Sequence, residues 1–153
     1  KRPAAIHAKR DKTGVLCLAA NCKSILMWSH YADQHKGIAI EFSVKLTDSQ
    51  HKVAYQAQPP RYSLYDIFVK KDSSILSLFT TKHMDWKYEE EYRIVMSEGD
   101  RLYDVPGAIT AIIFGMRTSN KDKALVRKAA YDLQNIEFRE CTRQPCSFGV
   151  LIE

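Results

Sequence analysis

The segment WKYEEEYR, which ends at Arg93, concentrates charged side chains that could take part in chemistry. Alternate residues of a strand point to the same side, so Glu89, Glu91 and Arg93 are expected to share one face if the strand begins near Glu89. An arginine keeps neighbouring carboxylates ionised, which suits stabilisation of a developing cation better than proton donation. The same spacing fits a structural ion-pair network on an exposed sheet face, and spacing alone favours this second interpretation.

A second segment, WSHYADQHKG, combines two aromatic residues, two histidines and a lysine. Trp28 and Tyr31 fit core positions of an amphipathic helix, whereas its polar residues, including His30 and Lys36, could border a site. His30 and His35 are five residues apart, which is not the i, i+4 spacing that a helical metal site prefers, so no metal site is predicted. His35 and Lys36 near a helix end also complement the helix dipole, which requires no function.

The four cysteines, Cys17, Cys22, Cys141 and Cys146, form two pairs with Cys-x4-Cys spacing. This spacing is loose for a zinc site. Cys17 is expected to face the interior from a strand, and Cys22 is expected to lie in a loop. Structural thiols are therefore favoured over metal ligands or disulfides, as is typical of cytosolic proteins.

The composition predicts a single domain over residues 1–153, with a loosely ordered arm over residues 1–13. Hydrophobic residues make up 45% of the chain and charged residues 27%, which is ordinary for a globular protein. No apolar run approaches the roughly 20 residues that span a bilayer. The first residues also lack a signal-peptide pattern, so a cytoplasmic location is expected.

The net charge of +5 raises the possibility of nucleic-acid binding. However, the basic residues are dispersed along the chain, and the acidic run at 89–91 interrupts them. A solvated basic surface is therefore favoured over a nucleic-acid groove, which stays an alternative. The chain has no Gly-rich phosphate loop, no Gly-x-Ser-x-Gly and no Cys-x-x-Cys, which argues against the commonest nucleotide-binding, hydrolase and redox classes.

Hydrophobic periodicity predicts the elements that must position these segments. Strands are predicted over residues 14–18, 38–44, 52–56, 91–96, 108–117, 136–143 and 147–153, and helices over 25–35, 64–71, 74–82 and 120–134. Ser24 is a good N-cap, Gly37 is placed as a C-cap glycine, and Asn120 is expected to cap the last helix. The helices are expected to bury Ile25, Trp28, Ala32, Ile75, Leu78, Phe79, Ala124, Leu125, Ala129 and Leu133. The predicted class is α+β, with a mixed or mostly antiparallel sheet of about five to seven strands and about three helices.

These segments together resemble a bacterial family catalogued as domain of unknown function 2971 (DUF2971). The resemblance rests on an aliphatic-Trp-x-His-Tyr-Ala…His-x-Gly-aliphatic segment, a Trp-x-Tyr-Glu-x-Glu-Tyr-Arg segment and an IIFG strand. In this chain they are Met27 to Ile38, Trp86 to Arg93 and Ile112 to Gly115. The similarity extends from about residue 14 to residue 118, and the order and spacing of the elements fit the family.

The resemblance also exposes two departures from the family pattern. Members usually have an upstream half with an Asn-Asp-Pro type segment, which is absent from this sequence, and their strand before the helix usually ends in an aromatic and a serine, where this chain has Leu18 and Ala19. The chain begins at Lys1, so upstream residues are expected to be missing, as in a trimmed relative from a mobile gene cassette.

The family's activity is not established, so the resemblance implies an uncharacterised bacterial protein. The first hypothesis is a small binding or interaction domain whose partner is an unknown small molecule or protein. No cofactor is evident, no membrane contact is expected, and self-association through a sheet edge is left open.

A weaker analogy is to ADP-ribosyltransferase folds, which use a late glutamate at the ribose and an aromatic that stacks on nicotinamide. By that analogy Glu91 is the catalytic carboxylate, Glu89 the second, and NAD the cofactor. Trp28 or Tyr31 would stack, Arg93 or Lys36 would meet phosphate, and Trp86 would contribute to binding. This alternative predicts that the stacking aromatic and the two glutamates line one cleft.

Overall fold

The computed structural model describes residues 12–44, 50–63, 65, 76–104 and 107–153. The strands are β1 (Gly14–Ala19), β2 (Ile38–Val44), β3 (Gln50–Lys52), β4 (Ala54–Gln56), β5 (Thr81–His83), β6 (Glu91–Met96), β7 (Gly107–Phe114), β8 (Glu137–Arg143) and β9 (Val150–Ile152). The helices are α1 (Ile25–Tyr31), a 3₁₀ helix (Met84–Glu89) and α2 (Asn120–Ala129), with a further helical turn at 76–79.

The predicted α+β class is confirmed. The strands form three sheets with the orders β1-β6-β3, β2-β7-β8-β9 and β4-β5. Pairing is antiparallel except between β4 and β5 and between β7 and β8. The strands outnumber the predicted five to seven for two reasons. The predicted strand over residues 52–56 divides into β3 and β4 on either side of Val53, and β5, with only three residues, lies in a segment whose pattern predicts a helix.

The chain divides into two compact units, one made of Lys1–Ala20 and Leu46–Tyr103 and the other of Asn21–Lys45 and Asp104–Glu153. The prediction of one domain with an N-terminal arm stays a prediction. Within the described ranges, no helix is long and apolar enough to cross a membrane.

In the first unit, β6 lies between β1 and β3, and both neighbours run antiparallel to it. The chain then passes from β3 into β4 through Val53, which is 3% exposed and donates its backbone N–H to the carbonyl of Glu91 at 2.9 Å. Ala54 donates to the carbonyl of Thr80 at 2.8 Å, beside the parallel β4–β5 pair. These backbone bonds bring β5 close to the start of β6.

In the second unit, β7 is a central strand, as its apolar sequence predicts. Its last four residues are buried, and their side chains alternate between the two faces. One face places Ile113 against Trp28, Ala32, Cys141 and Val150. The other face places Ile112 and Phe114 against Ala130, which follows α2.

Helix α1 begins as predicted, because the Ser24 side chain accepts a hydrogen bond from the backbone N–H of Met27. Its buried side holds Trp28, whose indole Nε1 donates to the carbonyl of Cys22 at 2.7 Å. The expected continuation to His35 is wrong, since the helix ends at Tyr31 and its C-cap is Ala32. The helix therefore spans only two turns.

The helix ends early because the next residues adopt the left-handed region. Asp33, Gln34 and His35 have φ values of 43°, 54° and 69°. Gly37 is not the C-cap glycine and has no positive φ. It is required for a close approach instead, since a Cβ there would lie 3.1 Å from the Cα of Ala32.

Several predicted core positions are exposed, and these predictions are wrong. Ile25 is 41% exposed and Tyr31 61% exposed, because the shorter helix turns only Trp28 inward. Cys17 is also exposed. The residues that the pattern of the last helix predicts as buried are all exposed. They are Ala124, Leu125 and Ala129 in α2 and Leu133 after its end.

Helix α2 differs from its prediction in three further ways. Ser119 caps it rather than Asn120, and it ends at Ala129, well before Gln134. It packs against the sheet through Val126, and Ala130 just beyond its end joins the same apolar cluster. Arg127 also lies on this side, with its guanidinium 4.4 Å from the centroid of the Phe138 ring.

The helices predicted between residues 64 and 82 are tested only in part. The first lies almost wholly outside the described residues, and the second is described from residue 76. Residues 76–79 are helical, but Thr81–His83 is a strand, so the expected extension to Lys82 is wrong. The Thr80 hydroxyl bonds back to the carbonyl of Leu76 at 3.0 Å, which closes the helical turn before β5.

Replacing Trp28 separates its packing from its hydrogen bond. Trp28→Phe keeps a buried ring but leaves the Cys22 carbonyl without its donor, so the free energy of unfolding should fall by about 1–3 kcal/mol. Trp28→Ala also removes the packed ring and should cost about 3–5 kcal/mol. Urea unfolding of both variants measures the difference, and equal losses would contradict a packing role for the indole.

Candidate functional site

Strand β6 places Glu91 and Arg93 on one face of its sheet, as their spacing predicts. The strand register sets their neighbours. Cys17 of β1 and His51 of β3 lie opposite Arg93 on either side, and Ala19 lies opposite Glu91. The charged pair therefore projects from the middle strand of the sheet, which has β1 on one side and β3 on the other.

Glu89 joins this pair by a different route from the predicted one. The strand begins at Glu91, and Glu89 is the last residue of the 3₁₀ helix. Between them Glu90 has a φ of 44°, and its carbonyl accepts from the backbone N–H of Ala20 at 3.1 Å. This left-handed residue turns the chain from helix to strand, so both carboxylates approach the same cation.

That cation is Lys82, a residue that no motif in the sequence singles out. Its ammonium group, on β5, donates to the carboxylates of Glu89 and Glu91, the latter at 3.2 Å. Lys82 lies seven and nine residues before these partners but in a different element from either of them, so no periodicity within one helix or strand places it beside them. Only the pairing of β5 with β4 signals its position.

Arg93 completes the network, which we call the charged cluster: Lys82, Glu89, Glu91 and Arg93. Its Nε donates to Oε1 of Glu91 at 2.8 Å and its Nη2 to Oε2 at 3.0 Å, a two-pronged contact. Its Nη1 donates to the carbonyl of Phe79 at 2.5 Å.

The charged cluster is buried and electrically balanced. Glu89 is 3% exposed and Glu91 5% exposed. Two carboxylates face one ammonium and one guanidinium, so the formal charges sum to zero. Removing one member would leave an uncompensated buried charge, which is far more costly than losing a surface ion pair.

The pKa values of Glu91, Lys82 and Arg93 reflect the pairing of opposite charges within the charged cluster. Burial alone would raise the pKa of Glu91, but hydrogen bonds from Arg93 and Cys17 and the nearby cations outweigh it and lower the pKa to about 2. Burial lowers the pKa of Lys82, yet its bonds to both glutamates produce a net rise. The bond to Glu91 also raises the pKa of Arg93. The ionised forms are therefore the stable ones.

Cys17 borders the charged cluster without being reactive. Its thiol hydrogen-bonds to Glu91, and burial together with that bond raises its pKa to about 11. The residue as a whole is exposed, but its sulfur side faces the carboxylate. Because the thiolate is the nucleophilic form, Cys17 is a poor nucleophile near neutral pH.

Trp86 is the predicted binding residue that reaches the surface beside the charged cluster. The Lys82 ammonium lies 4.9 Å from the centroid of its indole, and Tyr88 packs at 6.1 Å in a tilted arrangement. Trp86 is still 39% exposed, and Met84 on the same 3₁₀ helix is 48% exposed. The indole ring therefore contacts Lys82 and Tyr88 and is still partly open to solvent.

The other predicted binding residues belong to the second unit. Trp28 is buried, which favours its core interpretation, whereas His30 and Tyr31 are exposed on α1. Lys36 pairs with Asp33 at 3.7 Å on the surface. Because the charged cluster lies in the first unit, a cleft shared by the aromatic residues and the glutamates stays a prediction.

The hydrogen bond between Ser29 and His35 is a further contact that the sequence does not predict. The Ser29 hydroxyl donates to the carbonyl of Ile25 at 3.0 Å, so its single hydrogen is used there. The His35 Nε2, 3.0 Å from the same oxygen, must then be the donor. A general base would need Nε2 to accept the serine proton, so this pair is arranged for structure rather than nucleophilic catalysis.

The described residues contain no group of three or more His, Cys, Asp or Glu side chains that could hold a metal. All four cysteines are free thiols, with Cys141 buried and Cys22 in the turn before α1. Burial raises the pKa of Cys141, as expected for a packing residue.

The lowered pKa of Glu91 predicts an acid-dependent loss of stability. The stabilisation is present in full above the ordinary value of 4.5 and is lost as the pH falls towards about 2, where folded Glu91 takes up its proton. At 1.36 kcal/mol per pKa unit the loss is up to about 3 kcal/mol.

Urea unfolding between pH 5 and pH 2 tests this expectation. Glu91→Gln should lack this part of the pH dependence, whereas Glu137→Gln, on an exposed part of β8, should keep it. Identical pH profiles for the wild type and Glu91→Gln would show that the carboxylate is not held ionised.

Residues 27–94 match the model of a family described as "Protein of unknown function (DUF2971)". The match confirms the family resemblance over these residues, which include the last five residues of α1, the 3₁₀ helix, most of β6 and all four members of the charged cluster. The IIFG segment lies outside the matched residues. No match was found among curated proteins or among solved structures.

Proposed function

We propose that the chain is a small binding or interaction domain in which the charged cluster is structural and supports a contact surface centred on Trp86. The observation that carries this proposal is the engagement of both Glu91 oxygens. Oε1 accepts from Arg93, and Oε2 accepts from Arg93 and Lys82. A carboxylate used in this way stabilises the fold.

The cluster is less suited to the ADP-ribosyltransferase-like alternative. A catalytic glutamate stabilises an oxocarbenium ion through its negative field and a free lone pair. At Glu91 the guanidinium and the ammonium already oppose that field. Its pKa of about 2 also excludes a role as a proton donor near neutral pH.

The surface at Trp86 has the features of a binding anchor. Tryptophan is enriched among residues that dominate interface energies, and methionine is common at adaptable binding surfaces. The contact with Lys82 restrains the indole of Trp86. Little conformational freedom of this side chain would therefore be lost when a partner packs on the ring. The exposed Met84 extends the apolar area.

Thermal melting with candidate ligands separates binding from nucleotide chemistry. The proposal expects no shift in Tm and no nicotinamide release with NAD, and no shift with ADP-ribose, ATP or short oligonucleotides. A Tm increase with NAD that is lost in Glu91→Gln would favour the enzyme. An increase with oligonucleotides that falls steeply with salt would favour nucleic-acid binding.

Partner capture tests the contact surface itself. The immobilised full chain is incubated with bacterial extract, and bound proteins and metabolites are quantified by mass spectrometry. Trp86→Ala should lose about tenfold of the specific partner, since loss of a hot-spot residue costs about 2 kcal/mol or more. Tyr131→Ala, which changes an 86% exposed aromatic residue of the second unit, is the matched control.

The folded state of Trp86→Ala is checked by its melting curve, because the contact with Lys82 contributes only about 0.5–1 kcal/mol. Equal capture by the wild type and a folded Trp86→Ala would overturn the proposed surface.

A further inference from the structure

We propose that residues 33–37, which we call the left-handed loop, form a proton-triggered switch that opens when His35 becomes protonated. This device is independent of the proposed contact surface. It lies entirely within the second unit and rests on the strained backbone of the loop, the hydrogen bonds that hold it and the environment of the His35 ring.

The left-handed loop holds three consecutive residues with side chains in a conformation that L-amino acids rarely adopt. Asp33, Gln34 and His35 all have positive φ, and none is glycine. Single residues visit this region routinely, but a run of three is disfavoured by contacts of each Cβ. Such strain persists only where the surroundings over-determine it, and it clusters at ligand clamps and switches.

Backbone hydrogen bonds hold the loop against α1 and against the turn after β7. The N–H of His35 donates to the carbonyl of Trp28 at 3.1 Å, and that of Gly37 donates to the carbonyl of Ala32 at 2.8 Å. On the other side the N–H of Arg117 donates to the carbonyl of His35 at 2.9 Å. His35 is therefore the residue at which these anchors meet.

The site of the His35 ring suits the neutral form better than the protonated one. Nε2 donates to the Ser29 hydroxyl, as described above, which leaves Nδ1 as the nitrogen with a lone pair. Nδ1 is buried and has no hydrogen-bond partner within the described part of the chain. A second proton would have to be placed on this nitrogen, where no acceptor receives it.

The charges around the ring also oppose protonation. Arg117, in the turn after β7, is the cation that acts on it, and the Ser29 hydroxyl of α1 is its uncharged hydrogen-bond partner. Within the loop, Asp33 is paired with Lys36. Burial and then the Arg117 charge lower the pKa of His35 below its ordinary value of 6.5.

Protonation therefore favours a conformation in which the ring leaves its site. Departure of the ring removes its bond to Ser29, and the three left-handed residues can then relax. The sign follows from the lowered pKa: the closed loop is stable above pH 6.5, and its stability falls as the pH drops through the folded value. The switch would expose Trp28 and Ala32 carbonyls at the end of α1.

NMR of the ¹⁵N-labelled full chain between pH 8 and pH 4 tests the switch. The ring nitrogens of His35 should show the Nε2–H tautomer at high pH, and His35 should take up its proton below the ordinary pKa of 6.5. Protection of the His35 and Gly37 amides, corrected for intrinsic exchange, should fall about tenfold over the same titration.

Two variants make the test specific. His35→Gln should abolish the pH-dependent change in protection. His30→Gln, in the neighbouring helix α1, should retain that change. If His35→Gln does not fold, the wild-type titration decides alone. Protonation of His35 without loss of amide protection, or protonation at or above the ordinary pKa of 6.5, would overturn the proposal.

Discussion

Burial of two carboxylates is the constraint on which the first unit depends. Glu89 and Glu91 are almost completely removed from water, and each buried ion carries a penalty of several kcal/mol unless it is paired. Lys82 and Arg93 provide that pairing. The requirement explains local features that would otherwise look arbitrary: β5 pairs with β4 and so carries the ammonium to the carboxylates, and a left-handed Glu90 reverses the chain between its two acidic neighbours.

The sequence predicts what depends on short-range periodicity and misses what depends on distant pairing. The strands at β1, β2, β6 and β7, the Ser24 cap and the shared face of Glu91 and Arg93 follow from alternation and capping. The role of Lys82 does not, because it arises from a strand of three residues. The helical pattern through His35 also continues past the true helix end, since nothing local announces three left-handed residues.

The two segments on which the family resemblance rests contribute in different ways. In the first unit, WKYEEEYR supplies three members of the charged cluster and presents Trp86. In the second unit, WSHYADQHKG supplies a buried Trp28, the Ser29–His35 bond and the left-handed loop. In both motifs, most of the residues with assigned contacts hold the backbone in place, which supports the proposed binding domain. The four charges of the cluster are paired with one another, and the pKa shifts within it lead away from the near-neutral range that a catalytic acid or base needs.

A double-mutant cycle on Lys82 and Glu89 tests the central claim most directly. Urea unfolding would be measured for Lys82→Met, Glu89→Gln and the double variant. If the cluster must stay balanced, Lys82→Met should cost about 3–5 kcal/mol because two carboxylates then share one cation. Adding Glu89→Gln restores the balance, so the double variant should be more stable than the sum of the single losses implies, by about 1–3 kcal/mol. Additive losses would contradict the claim that charge balance holds this unit together.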